Sequence, residues 1–182
     1  MTDPRTESPP HLLLAAAPDL RTHLADAFSS AGFTVTTTTT CADVCAACSD
    51  PAPHVVVLDP ELDGDRSALQ AILELRAQPW MADVPVLLLI PEHDAAAVHQ
   101  GQEAGASDFA TRSAPTPLLC HRVQQMLRVT RTLHDLRNSE SSLAQAQRIA
   151  RLGNWIWDPR DDRVVWSAEV HRLLGVPDSI RT

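Results

Sequence analysis

The sequence predicts an α/β domain built on a doubly wound, five-stranded parallel sheet, followed by a long helix and a small hairpin. Three observations carry this. Between His11 and Leu127, apolar runs alternate with helical segments five times. The runs are almost continuously apolar, as strands covered on both faces require. From Leu118 to Leu152 there is neither proline nor glycine, so nothing in that stretch stops a helix.

His11–Ala17 reads as the first strand. Pro18 suits a first helical position, and Leu20, Leu24, Ala27 and Phe28 recur at helical spacing before Gly32. Phe33–Thr37 is a second, weaker strand. Thr40 with Asp43 resembles a capping box opening a short helix through Cys48. His54–Asp59 is a β-branched strand ending in an acid, and Asp63-Gly64 marks a turn. Leu69, Ile72, Leu73 and Leu75 mark the third helix. Val84–Ile90 is the fourth strand, Ala95–Ala104 a helix closed by Gly105, and Ser107–Ala110 the fifth strand. A fifth helix starts at Pro117. In such sheets ligands sit at the carboxyl ends of the strands, here Ala15–Ala17, Asp59, Ile90 and Ala110–Arg112.

Composition excludes several chemistries. The 182 residues carry a net charge of −8, no tyrosine and no lysine, so all 15 basic residues are arginine. Schiff-base catalysis and the P-loop lysine are therefore impossible. None of the six glycines falls in a dinucleotide-binding fingerprint. The acidic balance argues against nucleic acid as a partner. No apolar stretch approaches the roughly 18 residues of a membrane span. Residues 1–10 read as a disordered tail and not as a signal peptide. The four cysteines do not resemble a secreted disulfide framework, so a cytoplasmic protein is expected.

Cys41, Cys45 and Cys48 have C-x3-C-x2-C spacing, which resembles the cluster motif of radical enzymes that use S-adenosylmethionine. The same spacing is one face of a short helix, where free cysteines pack as small apolar groups, and this is the expected reading. The eight histidines form no metal-binding pattern and are expected at surfaces or interfaces. No metal site and no catalytic set follow from spacing.

Val57-Leu58-Asp59, the Asp63-Gly64 that follows, and Gly101-Gln102-Glu103-Ala104-Gly105-Ala106-Ser107-Asp108-Phe109 carry a family resemblance. Residues 11–127 resemble the receiver domain of two-component response regulators, which implies a flavodoxin-like fold. In that family an acidic pair and a phosphoacceptor aspartate hold Mg²⁺, while a hydroxyl and a lysine stabilise the phosphoryl group. The resemblance places the phosphoacceptor on Asp59. It places the acidic pair on Ala15 and Ala16, and the switch positions on Ile90, Phe109 and Arg112. Ser113 stands where the family usually has proline. One carboxylate does not make a magnesium site, so a degenerate receiver without catalytic activity or cofactor is expected. The alternative is a receiver phosphorylated on Asp59 in a phosphorelay. Arg112 either pairs with Asp59 or lies along the surface.

Val129, Leu136, Leu143 and Ala150 recur every seven residues, and Met126 and Leu133 extend the other seam until Glu140 and Gln147 interrupt it. Residues 119–152 are expected to pair two copies or to pack on their own domain. The stretch Asn138–Ser142 is a possible break. Beyond it, Gly153-Asn154-Trp155-Ile156-Trp157-Asp158, then Val164-Val165-Trp166-Ser167, then Glu169–Leu174, resemble the start of a PAS sensor domain. Trp155, Trp157 and Trp166 are expected to be structural. The predicted organisation is a tail (1–10), a receiver-like domain (11–127), a coiled-coil-like linker (128–152) and an N-terminal PAS fragment (153–182). That layout implies a signalling module acting on a protein partner or output domain, in a longer protein or a truncated product.

Overall fold

The computed structural model describes residues 8–48, 51–62, 67–92 and 94–176. The chain divides into two compact units, residues 1–131 and 132–182. Most of the predicted tail, the Asp63-Gly64 turn and the last residues of the PAS-like segment lie outside the described residues.

The first unit alternates strand and helix: β1 (His11–Ala15), α1 (Pro18–Ser30), β2 (Thr34–Thr38), α2 (Cys41–Ala47), β3 (Val55–Leu58), α3 (Ala68–Arg76), β4 (Val86–Ile90), α4 (Ala95–Ala104) and β5 (Asp108–Thr111). A single 3-10 turn, Pro79–Met81, precedes β4. Helix α5 runs from Thr116 to Ala150 without interruption. The strands are parallel in the order β2-β1-β3-β4-β5.

Alternation of side chains splits the core into two layers. Leu12, Leu14, Val55, Val57, Leu87 and Leu89 point to one face, where α1 and α5 cover them with Leu24, Phe28, Leu119, Val123 and Leu127. Leu13, Ala15, Val56, Leu58, Leu88 and Ile90 point to the other, under Val44, Ile72, Leu75 and Ala104 of α2, α3 and α4. The inner strands are apolar at every position because both faces are covered. Edge strand β2, with four threonines in five residues, is largely exposed. Each fully buried leucine contributes about 1.5–3 kcal/mol.

Strand limits differ from the sequence reading for local reasons. β1 stops at Ala15, since the chain turns away to place Pro18 in the first turn of α1. β4 starts at Val86, because the Val84 N–H is spent on the Met81 carbonyl, closing the 3-10 turn. β2 begins one residue late, after the Phe33 N–H has bonded back to Phe28. The serines and asparagine at 138–142 do not break α5; each costs only about half a kcal/mol in a helix.

The glycine-rich segment has a steric explanation. A methyl group on Gly101 would stand 2.6 Å from Phe109 Cε1 and 2.7 Å from Leu88 Cδ2, so α4 lies on β4 and β5 without room for one. Gly105 ends α4 at φ +98°, the left-handed conformation of a helix C-cap. Arg76 seals the same corner. Its guanidinium donates to the carbonyls of Met81, Val84 and Gly105 and to Ser107 Oγ. Burial lowers its pKa.

The second unit holds the end of α5, a hairpin of β6 (Trp155–Asp158) and β7 (Arg163–Trp166), and α6 (Ala168–Leu174). Trp155 pairs with Trp166 and Trp157 with Val164. The Arg151 N–H and Leu152 N–H bond back to Arg148 and Gln147, closing the helix with Arg151 at φ 52°. Glu169 is buried and accepts from Arg172 Nε at 2.8 Å. That hydrogen bond holds its carboxyl below the ordinary range. His171 is also buried, beside Trp166, whereas the sequence reading expected the histidines at surfaces or interfaces. Trp155 and Trp157 stay more than half exposed, so their structural role is confined to the hairpin itself.

Two predictions follow from these contacts. Gly101→Ala gains about 1 kcal/mol of helix propensity but overpacks the core by about 1–3 kcal/mol. Urea denaturation should therefore show net destabilisation. At the other end of the sheet, the His11 N–H donates to His54 Nδ1 and its own ring meets Thr36 Oγ1. Burial, then His54, lowers the His11 pKa below 6.5. The unfolded chain binds the proton more readily, so His11's contribution is complete above pH 6.5 and fades as pH falls through the lowered folded value. His11→Asn should flatten the dependence of melting temperature on pH in that window.

Candidate functional site

The carboxyl ends of β1, β3, β4 and β5 converge on Asp59. Its N–H donates to the Ala15 carbonyl at 2.8 Å, which extends the β1–β3 pairing by one residue and points the side chain inward. Asp59 is 0% exposed. Oδ1 accepts the Glu61 N–H at 3.2 Å, and Oδ2 accepts the Ala17 N–H at 3.2 Å.

Arg112 completes the shell. Its N–H bonds to the Ile90 carbonyl at 3.0 Å, so β4 fixes its backbone. Its Nε stands 3.0 Å from Asp59 Oδ1, as an ion-pair contact without hydrogen-bond alignment, and Nη2 donates to Oδ2 at 3.2 Å. Nη1 donates to Glu61 Oε2, and Nη2 also reaches Asp19 Oδ2 at 3.4 Å. One guanidinium thus faces three carboxylates, of which Asp59 is buried while Glu61 and Asp19 are largely exposed. Of the two sequence readings for Arg112, the pair with Asp59 is the one present.

The other predicted positions surround this pair without adding a polar group to it. Ala15 and Ala16 are fully buried methyl groups. Ile90, 9% exposed, belongs to the core. Phe109 is half-buried against α4, and Ser113 donates to Glu92. Glu61, two residues after Asp59, and Asp19, four residues after the end of β1, match no motif position of the resemblance. The available signal was an arginine at the β5 end with no acids at the end of β1, a charge that must find carboxylates elsewhere.

This arrangement does not fit a magnesium ion. Mg²⁺ needs near-octahedral oxygen ligands. Here the two positions flanking the aspartate are methyl groups, and both Asp59 oxygens already face nitrogen. Among the described residues no group of three or more histidine, cysteine or acidic side chains is placed to hold a metal.

The cysteines lie away from the cleft. Cys41 and Cys48 are buried and Cys45 is half-buried, on one face of α2. Thr40 caps that helix by accepting the Asp43 N–H. Burial, and then Cys45, push the Cys48 thiol up to about 12. Cys45 Sγ donates to Glu74. Protonated, packed thiols are poor cluster ligands.

The pair makes a mutational prediction. Arg112→Ala leaves a buried carboxylate with only two backbone donors and should cost about 2–4 kcal/mol in denaturant unfolding. Arg112→Lys recovers part of this, lacking the planar fork. Glu61→Ala and Asp19→Ala, at exposed positions, should each cost under about 1 kcal/mol. Arg112→Ala combined with Asp59→Asn should be less damaging than Arg112→Ala alone.

No protein-family model matches the chain, and no curated protein matches it significantly. Solved structures do. The receiver domain of a sensor histidine kinase of Pseudomonas aeruginosa, with magnesium coordinated in its active-site cleft, superposes with TM-score 0.61 at 19% identity, over 65% of this chain and 98% of that one. NtrX of Brucella abortus matches with TM-score 0.66 at 22% identity, over 72% of this chain and 29% of that one. A yeast Spc42 trimeric coiled-coil segment fused to another structure matches with TM-score 0.64 at 21% identity, over 78% of this chain and 90% of that one. Residues 11–127, with their β2-β1-β3-β4-β5 order and the acid at the end of β3, have the receiver-domain fold of signal-transduction proteins.

Proposed function

We propose that this chain is a non-catalytic signalling module whose receiver-like domain works without magnesium or an acyl phosphate. The observation that carries the reading is the Arg112 guanidinium against the buried Asp59 carboxylate, beside the methyl groups of Ala15 and Ala16. In the Pseudomonas neighbour a magnesium ion sits in the cleft. Here an arginine, permanently charged and attached to β5, supplies positive charge at the aspartate instead. A receiver switch couples charge at the strand ends to the β4 and β5 positions. With the counter-charge covalently part of the protein, that coupling is fixed in one state.

The domain then acts by contact. Helix α5 presents Val129, Leu133, Leu136 and Leu143 to solvent, each about half exposed or more, at the spacing of a coiled coil. The match to the fused coiled-coil structure extends further along the chain than the match to the isolated receiver domain, 78% against 65%. Self-association through α5 is the proposed output of the first unit. The hairpin with its Trp155–Trp166 pair and the short α6 support reading the second unit as the beginning of a PAS domain, to which α5 passes the state. The proposed setting is cytoplasmic, with a signalling protein or an attached output domain as partner. Among the described residues, no helix is long and apolar enough to cross a membrane.

Incubation with a small-molecule phosphodonor and Mg²⁺, followed by intact-mass measurement, tests the reading. The expected spectrum contains no phosphoryl adduct and is unchanged by Asp59→Asn. A stoichiometric adduct that Asp59→Asn removes would make this a phosphorylatable receiver and overturn the proposal.

A further inference from the structure

Outside the cleft, the strip of apolar side chains along α5 is the feature the fold leaves unused. Leu127 is the last buried residue of that helix. Beyond it Val129, Leu133, Leu136 and Leu143 are 57%, 49%, 55% and 60% exposed. With Met126 they alternate spacings of three and four, the seam of a coiled coil. At its beginning the strip enters a groove of ≈ 540 Å³, where Met126 and Val129 face Val84 and Pro85. Within the first unit, a helix packed on Met126 and Val129 also borders that groove. The interruptions are ordered too. Glu140 and Gln147 take the same heptad position as Met126 and Leu133. Gln147 donates to Asn154 Oδ1 at 3.2 Å, and Leu143 is the last leucine of the seam, with only the small Ala150 beyond it.

Resting on the self-association reading above, we propose that the occupant is a second copy of α5, parallel and in register, with Glu140 set against Glu140 of the copy as an electrostatic break. An antiparallel pair centred on Met126–Leu143 places Val129 against Glu140 at two levels, setting a carboxylate against an apolar side chain twice. The parallel pair lets every seam residue from Met126 to Leu136 meet its own kind and confines the mismatch to one level. There, two carboxylates face each other across the seam, and Arg137 of each helix, one turn earlier, is the nearest seam-side cation. The first two turns of the seam hold the pair, and Glu140 keeps it weak and the following turns loose. The break lies on the part of α5 that belongs to the second unit, between the last buried turn at Leu127 and the hairpin in sequence, so the strength of the pair at that level is what a signal along the helix would change.

Sedimentation equilibrium on the full chain tests this. Glu140→Leu should tighten self-association by roughly tenfold or more, and Glu140→Gln by less, as expected when a charged seam residue is replaced. Position 140 is exposed, so the fold is preserved in both variants. Leu136→Cys should form an interchain disulfide under mild oxidation, while the wild-type chain with its own four cysteines does not. If neither the wild type nor Glu140→Leu associates, the self-association reading falls and this inference with it. If the chains associate but Glu140→Leu is no tighter than wild type, or Leu136→Cys does not cross-link, self-association stands and the parallel pair with its acidic break is overturned. A trimer in sedimentation also overturns the pair.

Discussion

A carboxylate taken wholly out of water must be answered by hydrogen bonds and positive charge, and the upper end of this sheet is organised around that need. Asp59 is fully buried because it continues β3 beyond Leu58, between β1 and β4. Two backbone N–H groups and one guanidinium face it. Leaving such a charge unanswered costs several kcal/mol. The Ala17 N–H that serves it lies at the turn from β1 into α1, and the Arg112 that serves it is fixed by the Ile90 carbonyl of β4. The connections after β1, β3 and β5 are thus tied to a single side chain.

That constraint is met in this cleft with methyl groups, Ala15 and Ala16, at the end of β1. A mobile divalent ion needs oxygen ligands from several elements, and each of those is itself a destabilising acid without the ion. An arginine needs only carboxylates within reach of its fork, and it brings its own charge. Ala15 and Ala16 then become ordinary core residues, and Ile90 packs under α3 and α4. The exposed Glu61 and Asp19 add weak contacts that orient the guanidinium more than they bind it.

The two ends of the domain carry different tasks. The carboxyl ends of the strands hold the fixed ion pair. Val84 and Pro85, which precede β4, line a groove together with Met126 and Val129 of α5. Val57 and Leu89 share a core layer with the first part of α5. The packing that buries Leu119, Val123 and Leu127 makes the first part of α5 belong to the sheet, while Leu133, Leu136 and Leu143 farther along stay about half exposed.

The sequence by itself determined the element order and the parallel sheet, because the strands are apolar without alternation and because proline and glycine mark most of the limits. It also located Asp59, Ile90 and Arg112 at strand ends, and placed Cys41, Cys45 and Cys48 on one helical face through their spacing. It left two possibilities for Arg112, since the reach of a long side chain across 53 residues is not written in any local pattern. Tertiary structure alone decided that the guanidinium meets Asp59, that Glu61 and Asp19 join it, and that Gly101 is required where α4 touches Phe109 and Leu88. It also decided that His171 is buried and that α5 does not break at Asn138–Ser142. The reason is the same in each case: periodicity reports which face of an element is covered, but the distance between two side chains depends on how the covered faces stack.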